Sequence, residues 1–225
     1  MTYSITARCA RTGMFGVAIT TSSIAVGARC PHVRAGAGAV ATQNVTDPSY
    51  GPRILDLLSV GNSASDALAK ALAGQRFTEH RQITVVDASG RTAVHSGARM
   101  LGAHGVSQAV DCVAAGNLLK TTAVPLALTD AFSRHAELHL AERLLRALEA
   151  GREAGGEAGP THSAALIVAH DLPFSLVDLR CDWDDTDPVA VLRRLWTAYE
   201  PQMEAYRTRA VNPVAAPSYG VPGNQ

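Results

Sequence analysis

The order of strand-like and helix-like segments predicts an α+β fold, a four-layer α-β-β-α sandwich of two antiparallel sheets with helices outside. Three observations carry this. Strands and helices come in blocks, where a doubly wound parallel sheet would alternate them strictly. The strands are joined by short turns, which only antiparallel neighbours accept. The helices carry apolar residues along one stripe, enough to cover one face of a sheet each.

Each element follows from its local pattern. Thr2–Arg8 alternates and is rich in β-formers, Arg11-Thr12-Gly13 reads as a turn, and Met14–Thr21 returns, so the chain opens with a hairpin. A short strand is expected at Ala25–Arg29, and the small residues of Ala35–Thr42 allow a fourth strand with close backbone approach. Pro52 opens a helix through Ile54, Leu55, Leu57 and Leu58, and Ser63 caps another over Ala64–Ala73. Gln82–Asp87 and Arg91–His95 flank Ser89-Gly90 as a hairpin, and Val106–Val113 is a further strand. Helices follow at about Pro125–His135 and Leu138–Ala150, the second striped by Leu140, Leu144, Leu145 and Leu148. Gly151–Pro160 reads as a flexible loop. Ser163–Val168 and Ser175–Arg180 pair, and a last helix runs from the Asp187-Pro188 cap to about Arg207. A single domain is expected over 1–207, with an extended Pro/Gly-rich tail over 208–225.

Composition narrows the function. The 225 residues are 47% hydrophobic and 18% charged, with zero formal net charge, which favours neither nucleic acid nor a membrane surface. No signal peptide or membrane-length apolar run is visible, so a cytoplasmic protein is expected. Cys9, Cys30, Cys112 and Cys181 are far apart and read as buried reduced thiols. Lys70 and Lys120 are the two lysines, which restricts lysine chemistry to two positions.

The candidate nucleophile is Thr2. Removal of Met1 would place a free α-amine, a competent base near neutral pH, on the residue that carries the hydroxyl. Asn117, after Gly116 at a strand end, can offer an amide N–H to an oxyanion. Alternation places Arg8 on the same face as Thr2, and Arg8 or Arg34 would clamp a substrate carboxylate. Ser22, Gln43, Asn44 and His95 complete the substrate-binding candidates, with Ser22 and Ser23 as alternative hydroxyls. His135 and His139, four apart with Glu142 nearby, have metal-ligand spacing, but a solvated helix face is the preferred reading.

Several runs also resemble a known family. They are Ala25-Val26-Gly27, Pro31–Gln43 and Asp47–Pro52, together with the opening Thr2–Ile5 before Ala7-Arg8. Further matches are Arg81-Gln82 through Val86-Asp87, His95–Gly97, Gly116–Leu119 and Ser163–Leu166. Over about residues 2–200 the chain is similar to domain-of-unknown-function family 1028, grouped with the N-terminal-nucleophile (Ntn) hydrolases. The resemblance implies the Ntn-hydrolase-like four-layer fold and hydrolysis of an amide-type C–N bond.

The expected function is therefore an Ntn-type amidohydrolase on a small polar, carboxylate-bearing amide or ureido compound. It needs no cofactor or metal and is expected to act as a homo-oligomer. The rival expectation is a non-catalytic small-molecule binding or assembly protein on the same fold.

Overall fold

The computed structural model describes residues 1–221. Ten strands form two antiparallel sheets. The larger holds β1 (Thr2–Arg8), β2 (Phe15–Thr21), β7 (Gly105–Ala109), β8 (Cys112–Asn117), β9 (Ser163–Ala169) and β10 (Ser175–Cys181), in the order β10-β9-β2-β1-β8-β7. The smaller is a meander of β3 (Pro31–Arg34), β4 (Gly38–Asn44), β5 (Arg81–Asp87) and β6 (Thr92–Ser96). Helices α1 (Tyr50–Ser59) and α2 (Ala64–Leu72) cover the smaller sheet, and α3 (Val124–Ser133), α4 (Leu140–Glu153) and α5 (Pro188–Tyr199) cover the larger. A final helix, α6, spans Met203–Val211. The predicted four-layer order is the one observed.

The period-two pattern of β1 decides which layer each residue enters. Tyr3, Ile5 and Ala7 join the core under α3 and α4, with Leu128, Phe132, Leu144 and Leu148. Thr2, Ser4, Thr6 and Arg8 therefore project between the sheets. That inter-sheet layer has two chemistries. Phe15, Val17, Ala39, Ala41 and Ile167 pack as an apolar cluster on one side. On the β1–β8 side the contacts are polar, with the Thr6 and Thr84 hydroxyl oxygens 2.7 Å apart.

Asp87 ties α2 to the end of β5. Its buried carboxylate accepts from the N–H groups of Ala64, Ser89 and Arg91 and from Arg91 Nε, at 2.8–3.1 Å. Burial alone would raise its pKa, but these donors outweigh it and hold the carboxyl below the usual range. A depressed folded-state pKa gives stability that is present above the unfolded carboxylate pKa and lost as pH falls through the folded one. Urea titrations should show Asp87→Asn about 1–3 kcal/mol less stable at pH 7. Its deficit should shrink as pH falls below about 4, where the wild type loses this contribution.

Five expectations are corrected. Residues Val26–Ala28 form a 3₁₀ turn rather than a strand, entered through Ala25 in the left-handed region at φ 53°, and β3 starts only at Pro31. The single strand expected over Val106–Val113 is a hairpin of β7 and β8. Asp111 turns it with φ 61°, and its carbonyl accepts from the Arg8 N–H. The Gly151–Pro160 loop is built into the fold: α4 runs to Glu153, and Glu157 bridges to Leu119. The last helix is two helices, broken by a 3₁₀ turn at Glu200–Gln202. The tail expected from residue 208 begins inside α6, and a further 3₁₀ turn covers Pro213–Ala215. Its last residues, 222–225, lie outside the described residues. All four cysteines are free and buried.

Candidate active site

Strand register assembles the site. Thr2 stands opposite Thr21 of β2 on one side and Asn117 of β8 on the other. The three side chains thus form one row across the large sheet, facing inward. On the small sheet the register aligns Gln43, Gln82 and Ser96 in a second row. Ser4 donates to Gln43 Oε1 at 2.7 Å, Gln43 Nε2 donates to Gln82 Oε1 at 2.7 Å, and Asn117 Nδ2 reaches the same oxygen at 3.3 Å. Gln82 Nε2 in turn donates to the Gly116 carbonyl and the Ser96 hydroxyl, each at 3.3 Å. The three amide side chains of this seam are 1% exposed or less.

At the end of that seam Thr2 is 6% exposed. Its hydroxyl donates to the Met1 carbonyl at 2.5 Å, and the Thr21 hydroxyl donates to the same carbonyl. The two hydroxyl oxygens are 3.0 Å apart. Met1 therefore covers the nucleophile candidate with its own carbonyl group.

Asn117 is a direct cross-strand neighbour of Thr2, and its hydrogen bond to Gln82 leaves one amide N–H uncommitted. Backbone donors just beyond it are already spent. The Leu118 N–H goes to Leu101 O at 2.9 Å and the Leu119 N–H to Ala103 O at 2.8 Å. Gln82 holds Asn117, so Gln82→Leu would strand both the Asn117 and Gln43 amides without an acceptor. Urea unfolding should show a loss of about 2–4 kcal/mol for that variant.

The other sequence candidates lie elsewhere. Arg8 shares the inward face of Thr2 but stands at the opposite end of β1, about 20 Å along an extended strand, where it pairs with Asp111 at 3.0 Å. Arg34 pairs with Asp56 at 2.8 Å and donates to Ser59 on α1. Neither arginine is available to clamp a carboxylate beside Thr2. Asn44 has φ 73° and closes a loop, donating to His80 O at 2.7 Å and accepting from the Leu101 N–H. His95 sits on the edge strand with Nε2 donating to Thr78 O at 2.8 Å. His139 caps α4, accepting from Ala141 N–H and stacking on Trp196, while His135 lies in the preceding turn beside Glu137. The two do not share a helix face. Ser22 follows β2 at the Thr2 end.

Sequence reading missed Thr21, Gln82 and Glu157. Thr21 could have been found from pairing register once Thr2 was singled out, and Gln82 from its register with Gln43. Glu157 carried no signal, because an acid in a glycine-rich run looks solvated. It is 6% exposed, and neither carboxyl oxygen has a hydrogen-bond partner. Burial pushes its pKa up to about 8, against the pull of the chain's terminal ammonium and the nearby Ser22 N–H.

Comparison places the chain in a family. The model of a family of unknown function (DUF1028) matches residues 2–192. The chain belongs to this family. A crystal structure of protein SPO2555 from Silicibacter pomeroyi, a DUF1028 protein, is 30% identical with a TM-score of 0.81. The match covers 88% of this DUF1028 chain and 85% of that one. Anbu (ancestral beta-subunit) from Yersinia bercovieri aligns at 11% identity and TM-score 0.40, over 91% and 97% of the two chains. An Anbu Gly-1 mutant from Hyphomicrobium sp. strain MC1 aligns at 12% and 0.40, with the same coverage. Among curated proteins, none matches the chain. No helix of the described residues is long and apolar enough to cross a membrane.

Proposed function

We propose that this DUF1028 member is an Ntn-type amidohydrolase that cleaves a C–N bond of a small polar amide or ureido compound, with Thr2 as nucleophile after loss of Met1. The observation that carries the reading is the row Thr21–Thr2–Asn117 at the end of a buried amide seam. It places a hydroxyl, a second hydroxyl and a side-chain amide on adjacent strands.

The chemistry runs on this chain's own groups. The Thr2 Oγ1 forms a bond to the substrate carbonyl carbon as its proton passes to the Thr2 α-amine. The negative charge that develops on the carbonyl oxygen is met by the free N–H of Asn117. The C–N bond then breaks, and the amine returns the proton to the leaving nitrogen. Water attacks the resulting ester, releasing the acid and regenerating the hydroxyl. Thr21 steadies the Thr2 hydroxyl, and Gln82 steadies Asn117. With Arg8 and Arg34 paired elsewhere, the substrate needs no carboxylate; amide and ureido groups suit the neutral donors and acceptors of the seam. The same reading takes the protein as cytoplasmic and homo-oligomeric.

The test is the intact mass of untagged protein, followed by a screen of small amides, ureides and N-acyl amines against wild type and Thr2→Ala. A mass lacking methionine with turnover that disappears in Thr2→Ala supports the reading. A retained methionine, or turnover that survives Thr2→Ala, overturns it and leaves a small-molecule binding role for the fold.

A further inference from the structure

We propose that Glu157 is the acidic partner of the α-amino group exposed when Met1 is removed, a positioning residue that fixes that amine beside the Thr2 hydroxyl. The proposal rests on the Thr2 reading above and adds a residue to it.

Position is the first argument. Beyond Asn117, the partner of Thr2, the chain continues through Leu118–Lys120 past the start of β1. There it pairs with Gly156–Ala158: Lys120 N–H donates to Gly156 O at 3.1 Å, Ala158 N–H donates to Leu118 O at 2.9 Å, and Leu119 bridges Glu157. This clip stands at the N-terminal end of β1, and the Met1 side chain lies against Gly159 just after it.

Want of a partner is the second. A buried carboxyl without a hydrogen bond is costly to keep, and natural folds supply a cation or donor for such a group. The charged and titratable groups around Glu157 are few. The terminal ammonium attracts it, and the Ser22 N–H faces it without completing a hydrogen bond. The Tyr3 hydroxyl on β1 is raised by burial and by Glu157 itself. Arg152 of α4 and Asp187 at the start of α5 also act on Tyr3, but they are paired with one another.

Chemistry is the third. Losing Met1 moves the terminal nitrogen inward by one residue, roughly 3.5 Å, onto the buried Thr2. An α-amine there would be a donor for Glu157, whose two carboxyl oxygens are buried without a hydrogen bond. Burial pushes the carboxyl well above the usual carboxylate range, toward that of an α-amine, and an N–H···O bond to it would hold the amine in place.

The experiment uses the full chain as wild type, Glu157→Gln and Glu157→Asp. Intact mass reports Met1 removal and circular dichroism reports folding. The pH dependence of N-terminal acylation by acetic anhydride, read by mass spectrometry of the first peptide, gives the amine's own titration. Glu157→Gln should lower that midpoint by about half a pH unit or more, because a stabilising anion has been removed. Glu157→Asp should restore most of it. Should Glu157→Gln fail to fold, Glu157→Ala takes its place in the same titration, where a lowered midpoint supports the proposal and an unmoved one overturns it. A trimmed, folded Glu157→Gln protein with an unmoved midpoint overturns the Glu157 assignment and leaves the Thr2 mechanism standing. A retained Met1 overturns both.

Discussion

Alanine at position 2 is expected, on the mechanism proposed above, to lower hydrolysis by about 10³-fold or more, because removing the proposed nucleophile takes away the whole reaction path and not one contact of it. The fold should survive the change. Thr2 lies in a strand held on both sides by β2 and β8, and its side chain adds only hydroxyl contacts to Thr21 and Met1. Thermal melts of Thr2→Ala should therefore fall within a few degrees of wild type, a cost of about 1 kcal/mol. Serine at the same position keeps an Oγ and should keep turnover measurable. A Thr2→Ala protein with full activity would mean that the row Thr21–Thr2–Asn117 is architecture alone.

The largest stability effect belongs to Phe132→Ala. Phe132 is fully buried beneath α4, among Leu128, Leu144 and Leu148. Truncation removes its packing and leaves a cavity, a loss of about 3–5 kcal/mol. The ring also stacks under the buried Arg143 guanidinium, whose carbon stands 3.7 Å from the ring centroid. Arg143 has no carboxylate within ion-pair distance among the described residues; its company is the ring, the Phe132 carbonyl and the Cys9 thiol. Urea unfolding should show the deficit, with a drop in Tm on the order of 10 °C. Phe132→Leu, which refills most of the space, should recover more than half of it.

Much of this was legible in the sequence, and the failures have physical causes. Block order and hairpin turns led to two antiparallel sheets because both are local properties of the chain. Alternation put Arg8 and Thr2 on one face correctly, but a period of two says nothing about distance along the strand. Arg8 therefore stands at the wrong end, beside Asp111. The β7–β8 hairpin was read as one strand because its turn, Val110-Asp111, lacks the glycine or asparagine that usually marks a left-handed residue. Asn117 and Gln43 were legible as amides at strand ends. Thr21 joins the candidate site through its register with Thr2 in the opening hairpin, Gln82 through contacts with residues far away in the chain, and Glu157 through a bridge formed by the α4–β9 connection.

The strand order carries a consequence for how the molecule comes into being on the ribosome. The four-stranded meander draws on one stretch of chain, residues 31–96, and with α1 and α2 it can assemble early from near neighbours. The six-stranded sheet cannot. The opening hairpin must wait for β8 to arrive on one flank and for β9 on the other, so both flanking pairings span large loops and close late. Until then the first two residues remain outside any finished sheet. Topology thus leaves the chain's first residues accessible for an interval that closes when Thr2 is locked between Thr21 and Asn117.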